Sequence, residues 1–288
     1  NGHKFTDVAV IGLGLTGRSC VRFLLKQGIH PTLYDTREHL DTTELKQLSP
    51  DLSIHLGALD GQLLSGHQLL LVSPGIAIAQ PAFATAQANG ALIWGDIELF
   101  SHFVNRPVIG ITGSNGKTTV TSLLYQMAKD AGVNAVAIGN IGVPVLDVVL
   151  DKSIELFIIE LSSFQLETTY SLELCAATLL NVSDDHMDRY RDLTDYAGAK
   201  QRIFKHCALK VINRQDRLTH PDIMTDCQSF GDDNPPNPTN YGLVDGAIYL
   251  GRQRLIDCGE LAMIGRHNQL NAMAALALGA AAGLGQSS

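Results

Sequence analysis

The ten residues from Gly110 to Thr119, GITGSNGKTT, contain the glycines and side chains that phosphate chemistry requires. Gly113 and Gly116 let consecutive backbone N–H groups turn toward phosphate oxygens, and a helix that follows directs its positive N-terminal end at them. Lys117 can reach terminal phosphates, and the Thr118 hydroxyl is the group that strand–loop–helix NTPases use to bind Mg²⁺. The segment therefore predicts a phosphate-binding loop for a nucleoside triphosphate.

This loop departs from the strict phosphate-loop pattern at one position. The pattern G-x-x-x-x-G-K-[ST] requires glycine at position 111, where this chain has Ile111. The match is to a variant, T-G-x-N-G-K-T-T. The alternative interpretation is that this glycine-rich turn only caps the helix that follows it and binds no phosphate.

A second glycine cluster, GLGLTG at residues 12–17, lies between an apolar run and a helical pattern. Asp35 follows the next apolar run, at the position where a dinucleotide-binding domain places its ribose-binding acid. The cluster does not specify NAD, because its glycines accommodate any pyrophosphate. Asp35, Thr36 and Arg37 could contact a ribose, a base edge or nothing.

Polar side chains also follow the apolar runs of the second half of the chain. The run 156–160 closes on Glu160. Ligands of open α/β sheets bind at such carboxyl ends, so Glu160 is a candidate Mg²⁺ ligand, directly or through water. A glutamate that caps the next helix is the alternative.

Two further candidates depend on similar patterns. His186 emerges with several aspartates after the apolar run that ends near residue 181, and it could ligate a metal or orient a phosphate. An exposed acidic loop with an incidental histidine explains the same residues. Lys200 stands among small residues of a predicted helix, where a surface lysine is the simpler interpretation.

The elements that must position these residues alternate between strands and helices, which predicts parallel, doubly wound sheets. A change of pattern at Trp94-Gly95-Asp96 predicts a domain boundary near residue 95. Asp245-Gly246 is typical of a hairpin turn and predicts a small antiparallel sheet. Predicted strands lie near 7–11, 31–34, 68–72, 91–94, 108–111, 135–138, 156–160, 176–181 and 208–212, and predicted helices near 18–27, 81–89, 96–103, 120–129 and 272–285.

Composition limits the classes of protein that fit. The 288 residues are 45% hydrophobic and 17% charged, which is typical of a globular chain with room for two cores. A net charge of −8 disfavours nucleic acid as a partner. Five cysteines with no C-x-x-C pair predict reduced thiols and a cytoplasmic protein. No segment predicts a membrane span.

Taken together, the motifs resemble the Mur ligase family of bacterial peptidoglycan synthesis, and within it the branch that adds D-glutamate. The resemblance extends from residue 12 to residue 271. Its more selective parts are the Rossmann-like first domain and the run Glu160-Leu-Ser-Ser-Phe-Gln165, both of which resemble the D-glutamate-adding branch. It is carried by residues 12–17, 34–37, 73–76, 110–119, 139–142, 160–167, 185–190, Lys200 and 265–271.

The resemblance implies an α/β chain in which a Rossmann-like domain, 1–95, binds a UDP-substrate and a P-loop domain, 96–288, binds ATP. UDP-substrate contacts would come from Leu15, Thr16, Asp35, Thr36, Arg37, Ser73, Asn140, Ser162 and Gln165. ATP contacts would come from Gly113, Ser114, Asn115, Gly116, Lys117, Thr118 and Thr119, with Asn268 and Asn271 on the adenine side. Two Mg²⁺ ions would be held by Thr118, Glu160, His186 and Lys200. The catalytic residues would be Lys117, His186 and Lys200, with Lys200 carbamylated.

The implied reaction is an ATP-dependent amide ligation with UDP-N-acetylmuramoyl-L-alanine and D-glutamate as substrates, carried out by a cytoplasmic monomer. Family members carry a third domain that binds the acceptor amino acid. We expect the present 288 residues to lack it, and therefore to bind the UDP-substrate without ligating.

Three alternatives stay open at this point. Another ligase of UDP-MurNAc-peptides or of the folylpolyglutamate type would share the phosphate loop. An NAD-dependent oxidoreductase would explain residues 12–35 but would leave the phosphate loop without a role. A regulatory nucleotide-binding module would explain both glycine loops without catalysis.

Overall fold

The computed structural model describes residues 5–261 and 263–284. Contacts divide the chain into two compact units. Unit 1 runs up to Val104 and also takes the later segments Pro144–Leu150 and Thr168–Tyr170; unit 2 contains the rest. The predicted boundary near residue 95 lies nine residues or so before this division, and the outermost residues of both predicted domains, 1–4 and 285–288, lie outside the described ranges.

Unit 1 contains the first ten elements in strict alternation of strand and helix. They are β1 (Val8–Ile11), α1 (Leu15–Lys26), β2 (Thr32–Asp35), α2 (Thr43–Leu48), β3 (Ile54–Leu56), α3 (Gly61–Leu64), β4 (Leu69–Val72), α4 (Pro81–Ala88), β5 (Leu92–Trp94) and α5 (Asp96–Ser101).

The five strands of unit 1 form one parallel sheet in the order β3-β2-β1-β4-β5. The order reverses between β1 and β4, so the ligand crevice of this sheet is expected outside the carboxyl ends of these two strands. Apolar side chains of β1 and β4 are buried against those of α4 and form the core. Strand β3 was absent from the sequence prediction because its short edge-strand run is largely exposed.

The later segments of unit 1 are tied to it by hydrogen bonds. Asp147 accepts from Ser19 Oγ at 2.8 Å and from Arg22 Nη2 at 2.8 Å. Tyr170 N donates to Glu98 Oε2 at 2.6 Å. Residues far apart in sequence therefore complete this unit.

The remaining elements, in chain order, belong to unit 2 except for the short helix α7. They are β6 (Val108–Thr112), α6 (Lys117–Asp130), β7 (Ala135–Gly139), α7 (Val145–Val148), β8 (Leu156–Glu160), α8 (Ser163–Glu167), β9 (Leu174–Leu179), α9 (Leu193–Gln201), β10 (Cys207–Asn213), β11 (Cys227–Phe230), β12 (Tyr241–Val244), β13 (Ala247–Leu250), β14 (Gln253–Asp257) and α10 (Arg266–Ala281).

Unit 2 has a six-stranded parallel sheet in the order β11-β10-β9-β6-β8-β7. Strand β6 lies between β9 and β8, so the segments that follow these three strands emerge side by side at one edge of the sheet. Helices α6 and α10 pack on one face, and their apolar side chains join those of the strands in one core.

A three-stranded antiparallel sheet, β12-β13-β14, accompanies the main sheet of unit 2. Asp245 and Gly246, both with positive φ, form the turn between β12 and β13, as the sequence predicts. Helix α10 begins at Arg266 rather than at the predicted Ala272, and Gly285, the predicted end, lies outside the described residues. Among the helices of the described ranges, none has both the length and the apolar character needed to cross a bilayer.

Candidate functional site

The predicted phosphate loop connects β6 to α6, as its sequence indicates. Gly116 is the last residue before α6 and has a φ of +83°, a backbone conformation that favours glycine. The N–H groups of Lys117, Thr118 and Thr119 lie in the first turn of α6, where a helix offers no carbonyl to pair with them. The loop therefore presents a row of backbone donors to an anion.

Two lysines converge on the carbonyl oxygen of Gly113. Lys117 Nζ donates to it at 2.8 Å and to Ser114 O at 3.0 Å, and Lys200 Nζ donates to Gly113 O at 3.0 Å. Burial lowers the pKa of Lys117, with Glu160 and Asp185 opposing the shift. Burial and the charge of Lys117 lower the pKa of Lys200 to about 7. The sequence offered Lys200 as a surface side chain or a site residue, and the structure places it, 2% exposed, behind the phosphate loop.

Glu160 lies at the end of β8 and is 1% exposed. One of its carboxylate oxygens accepts from Thr118 Oγ1 at 2.9 Å, and the other accepts from Asn140 Nδ2 at 2.8 Å. A hydroxyl and a carboxylate oxygen so close together at the start of α6 form the hard oxygen set that Mg²⁺ prefers. Thr118 and Glu160 thus fit the metal role that the sequence predicts for them.

His186 is half-exposed and sits in an aromatic cluster rather than in a set of metal ligands. Its ring lies 4.9 Å from that of Phe164 and 6.4 Å from that of Tyr196, over which Lys200 Nζ lies at 4.6 Å. Its nearest carboxylate is Asp185, at 3.6 Å. Across 5–261 and 263–284, three or more His, Cys, Asp or Glu side chains nowhere cluster in a way that could hold a metal ion. A second metal at this position would need an anionic group that the unmodified lysine does not supply.

A cavity of about 710 Å³ opens beside the phosphate loop, within unit 2. Asn115, Gly116 and Thr119 line one side, and Asn268 and Asn271 of α10 line another. A Cβ added to Gly116 would meet Asn271 Oδ1 at 2.6 Å, so the helix packs directly on the loop. The cavity brings together the loop and both asparagines that the resemblance assigns to the adenine side.

The glycine cluster of unit 1 is built for close approach. A Cβ on Gly17 would collide with the carbonyl oxygen of Gly12, and Ser73 Oγ donates to the same carbonyl at 2.7 Å. Ser73 follows β4, so the segments after β1 and β4 meet where the strand order reverses. This is the crevice in which a pyrophosphate-containing ligand is expected.

Asp35 is 2% exposed and fully engaged by its neighbours. It accepts from Leu13 N at 2.7 Å, and from Arg37 Nε and Nη2, both at 2.7 Å. The hydrogen bonds to Arg37 and Leu13 lower the pKa of Asp35 to about 2. Asp35 therefore fixes both the glycine loop and the Arg37 side chain, whereas Leu15 and Thr36 are exposed beside it.

The residues predicted to contact the UDP-substrate fall into both units. Leu15, Thr16, Asp35, Thr36, Arg37 and Ser73 lie in unit 1, and Asn140, Ser162 and Gln165 lie in unit 2. Gln165 Oε1 accepts from Ser162 N at 3.0 Å and from Ser162 Oγ at 3.2 Å, so these two residues hold each other after β8. Their assignment to the UDP-substrate stays a prediction.

Sequence reasoning missed two residues that the structure places against the phosphate loop. Asn181 and Ser183 follow β9 and form hydrogen bonds with Ser114 and Asn115. Their only sequence signal is their position just after an apolar strand, in the polar segment that leads to His186.

Comparison with known proteins decides the family. Residues 111–279, more than half of the chain, match the Mur ligase middle domain. The chain belongs to the Mur ligase family. Residues 6–95 match the N-terminal domain described as Mur ligase MurD-like. The predicted family and α/β fold class are confirmed.

Curated relatives of this chain are identical to it at close to half of the aligned residues. A UDP-N-acetylmuramoylalanine–D-glutamate ligase of Pasteurella multocida is 46% identical over 98% of this chain and 64% of the relative. The proteins of the same name from Marinobacter nauticus and Escherichia coli K12 are 48% and 45% identical, over 96% and 99% of this chain. The chain spans about 64% of the length of these relatives.

Solved structures with low identity share the fold. The UDP-N-acetylmuramate:L-alanyl-gamma-D-glutamyl-meso-diaminopimelate ligase from Neisseria meningitides superposes with a TM-score of 0.60 at 18% identity, covering 97% of this chain and 94% of that chain. A pseudomurein peptide ligase type C from Methanothermus fervidus gives 0.55 at 17% identity, covering 97% and 68%.

Proposed function

We propose that this Mur ligase acts in the ATP-dependent addition of D-glutamate to UDP-N-acetylmuramoyl-L-alanine, a cytoplasmic step of peptidoglycan precursor synthesis. The observation that carries the proposal is the grouping of Lys117, Thr118 and Glu160 at one edge of the unit 2 sheet, beside a cavity large enough for a nucleoside. The relatives that match nearly the whole chain bear the name of this ligase.

The proposed reaction has two steps. A carboxylate oxygen of the alanine attacks the γ-phosphorus of ATP, and the bond from that phosphorus to the bridging oxygen breaks. ADP departs, and the alanine carboxylate has become an acyl phosphate. The amine of D-glutamate then attacks the acyl carbon, and phosphate leaves as the amine loses a proton. Repulsion between the carboxylate and the triphosphate is the main electrostatic barrier to the first step.

Residues of the phosphate loop lower that barrier in the proposed mechanism. The first-turn N–H groups of α6 bind phosphate oxygens, and Lys117 exchanges its carbonyl partners Gly113 and Ser114 for the terminal phosphates. Because these donors are already oriented, little reorganisation accompanies the reaction. Asn268 and Asn271 would contact the base from the cavity wall.

Thr118 and Glu160 would hold one Mg²⁺, which supplies charge neutralisation at the phosphates when it is bound. Asn140 orients the Glu160 carboxylate through its other oxygen, which keeps the Thr118-facing oxygen in place. For a second Mg²⁺, His186 would act with Lys200. Lys200 fits only as a carbamate, since carbamylation turns its ammonium into a carboxylate-like anion.

Unit 1 would hold the UDP portion of the substrate at the crevice between β1 and β4. Arg37, held by Asp35 and half-exposed, offers a cation beside the glycine loop. No redox cofactor is needed for this role, because the glycine cluster fits a pyrophosphate from any nucleotide.

Titration calorimetry on the 288-residue chain tests the ligand assignment. We expect UDP-N-acetylmuramoyl-L-alanine to bind at least tenfold more tightly than NAD, and MgATP to bind at a second, independent site. NAD binding as tight as that of the UDP-sugar would favour the oxidoreductase alternative.

An activity assay on the full gene product separates the ligase from a regulatory module that only binds nucleotides. Starting from substrate labelled with ¹⁸O in the alanine carboxylate, the proposed chemistry transfers one label to the released phosphate. D-glutamate-dependent turnover without label in phosphate would exclude the acyl phosphate, and absence of turnover would favour the regulatory module.

A further inference from the structure

The segment that follows β9 is paired with the first half of the phosphate loop. Ser114 N donates to Asn181 O at 2.9 Å, and Leu180 N donates to Thr112 O at 3.0 Å, so the pairing of β6 with β9 continues beyond both strands. Ser114 Oγ donates to Ser183 O at 3.1 Å and accepts from Ser183 N at 3.0 Å. The loop is therefore bound along its side by a neighbouring segment of backbone.

The Asn181 side chain adds a two-way contact to this pairing. Its Oδ1 accepts from Asn115 N at 2.9 Å, and its Nδ2 donates to Asn115 O at 3.0 Å. A side-chain amide here takes the place of a paired peptide unit. Asn115 Nδ2 also donates to Ser183 Oγ at 3.3 Å.

These contacts divide the loop into two parts. The N–H groups of Ser114 and Asn115 already donate hydrogen bonds to Asn181. The N–H groups of residues 117–119, in the first turn of α6, have no carbonyl partner within the helix. Gly116 lies between the two parts, with the positive φ that turns the chain from one to the other.

The segment carrying Asn181 is itself fixed on its far side. Val182 N donates to Asp216 Oδ2 at 2.9 Å, and Asn213 Nδ2 donates to Leu180 O at 3.1 Å. Both partners lie at or just after the end of β10. The segment of residues 180–183, called the brace below, is therefore held by the end of the parallel sheet rather than by a free loop.

We infer that Asn181 is a positioning residue for nucleotide binding, which holds Ser114 and Asn115 in place so that only the second part of the loop, Gly116–Thr119, receives phosphate. This rests on the proposed function of the loop as the ATP site. A loop ordered before the nucleotide arrives loses less conformational entropy on binding, so removal of the brace lowers the fraction of binding-competent molecules and weakens the apparent affinity by that fraction.

Backbone amide exchange measured by NMR tests the division directly. In the nucleotide-free chain, the Asn115 amide should exchange slowly, and MgATP should leave its rate nearly unchanged while it slows exchange at Lys117, Thr118 and Thr119. In Asn181→Ala, the Asn115 amide should exchange at least tenfold faster. Equal rates for Asn115 in the two proteins would overturn the inference.

Affinity supplies the second readout. Loss of the two amide hydrogen bonds should weaken MgATP binding about tenfold or more and leave binding of the UDP-sugar unchanged. Asn240→Ala is the matched control, because it removes another Asn Oδ1 acceptor of unit 2, bonded to Ser229 N at 3.0 Å, away from the loop. MgATP binding by Asn181→Ala within twofold of the control would contradict the positioning role.

Two further arms keep the test decisive. If Asn181→Ala does not fold, the wild-type exchange pattern still tests the division of the loop. Ser183→Ala retains both contacts between Asn181 and Asn115, and the Asn115 amide should therefore still exchange slowly in that variant. If the wild-type chain does not bind MgATP, the proposed function fails, while slow exchange at Asn115 remains an independent measure of the brace.

Discussion

Carbamylation of Lys200 is the prediction that depends most directly on the local geometry. Carbon dioxide reacts with a neutral amine and not with an ammonium group. Lys200 is 2% exposed and lies behind the phosphate loop, next to the charge of Lys117. Burial is the larger cause and the charge of Lys117 the smaller cause that lower its pKa to about 7.

The expected magnitude follows from the two pKa values. At pH 7.4 an ordinary lysine with a pKa near 10.4 is neutral in about one molecule in a thousand, whereas a pKa of about 7 makes roughly two thirds neutral. The reactive population therefore increases on the order of 10³-fold. Carbamate should therefore form near neutral pH and be lost at lower pH, as the amine becomes protonated.

The assay is ¹³C NMR of the chain with Mg²⁺ at a fixed pressure of ¹³CO₂, over a series of pH values. A carbamate resonance should appear between pH 6.5 and 8, vanish in Lys200→Ala and persist in Lys205→Ala, a matched change at an exposed lysine nearby. In Lys117→Ala, the loss of the neighbouring charge should raise the pH at which the carbamate resonance appears. A resonance that survives Lys200→Ala, or none at any pH, would refute the reasoning.

Three other outcomes follow from the same contacts. Lys117→Ala should weaken MgATP binding, measured by calorimetry, by roughly 10- to 100-fold, which is the equivalent of one charge-assisted hydrogen bond. The same substitution should reduce turnover of the full gene product at least ~10²-fold. Lys129→Ala is the control at an exposed lysine. Glu160→Gln should weaken binding of MgATP but not of ATP in EDTA, and equal losses in both titrations would argue against a metal at Thr118. Because folding lowers the pKa of Asp35 to about 2, the ionised Asp35 carboxylate stabilises the folded state above pH 4. Its contribution to the free energy of unfolding, measured by urea denaturation, should fall by about 2 kcal/mol as the pH falls from 4 toward 2. Asp35→Asn should remove that pH dependence, and an unchanged acid profile would show that Asp35 does not cause it.

Features with a local sequence signature were predicted correctly. The phosphate loop, the strand that ends at Glu160 and the turn at Asp245-Gly246 each combine an apolar run with a glycine or carboxylate at a fixed offset. Parallel strands bring their carboxyl ends to one edge, so the proximity of Glu160 to Thr118 can be expected from the sequence.

Features that depend on distant pairing had no such signature. Asn181 meets Asn115 across 66 residues, and nothing in either side chain marks the partner in advance. The burial of Lys200 likewise depends on how α9 packs behind the loop, which a helix with no clear apolar face does not reveal. The short strand β3, largely exposed at a sheet edge, carries no apolar run to predict it.

The interleaved path of the chain has a consequence for synthesis on the ribosome. Domains generally fold as units, with the N-terminal one first. Here Ser19 donates to Asp147, which follows β6, α6 and β7 of unit 2. Glu98 accepts from Tyr170 N, which follows β8 and α8 as well, so unit 1 acquires these hydrogen bonds only after those elements have been translated. The first sheet can therefore form early, but helices α1 and α5 lack these hydrogen bonds until after the phosphate loop of unit 2 has been translated.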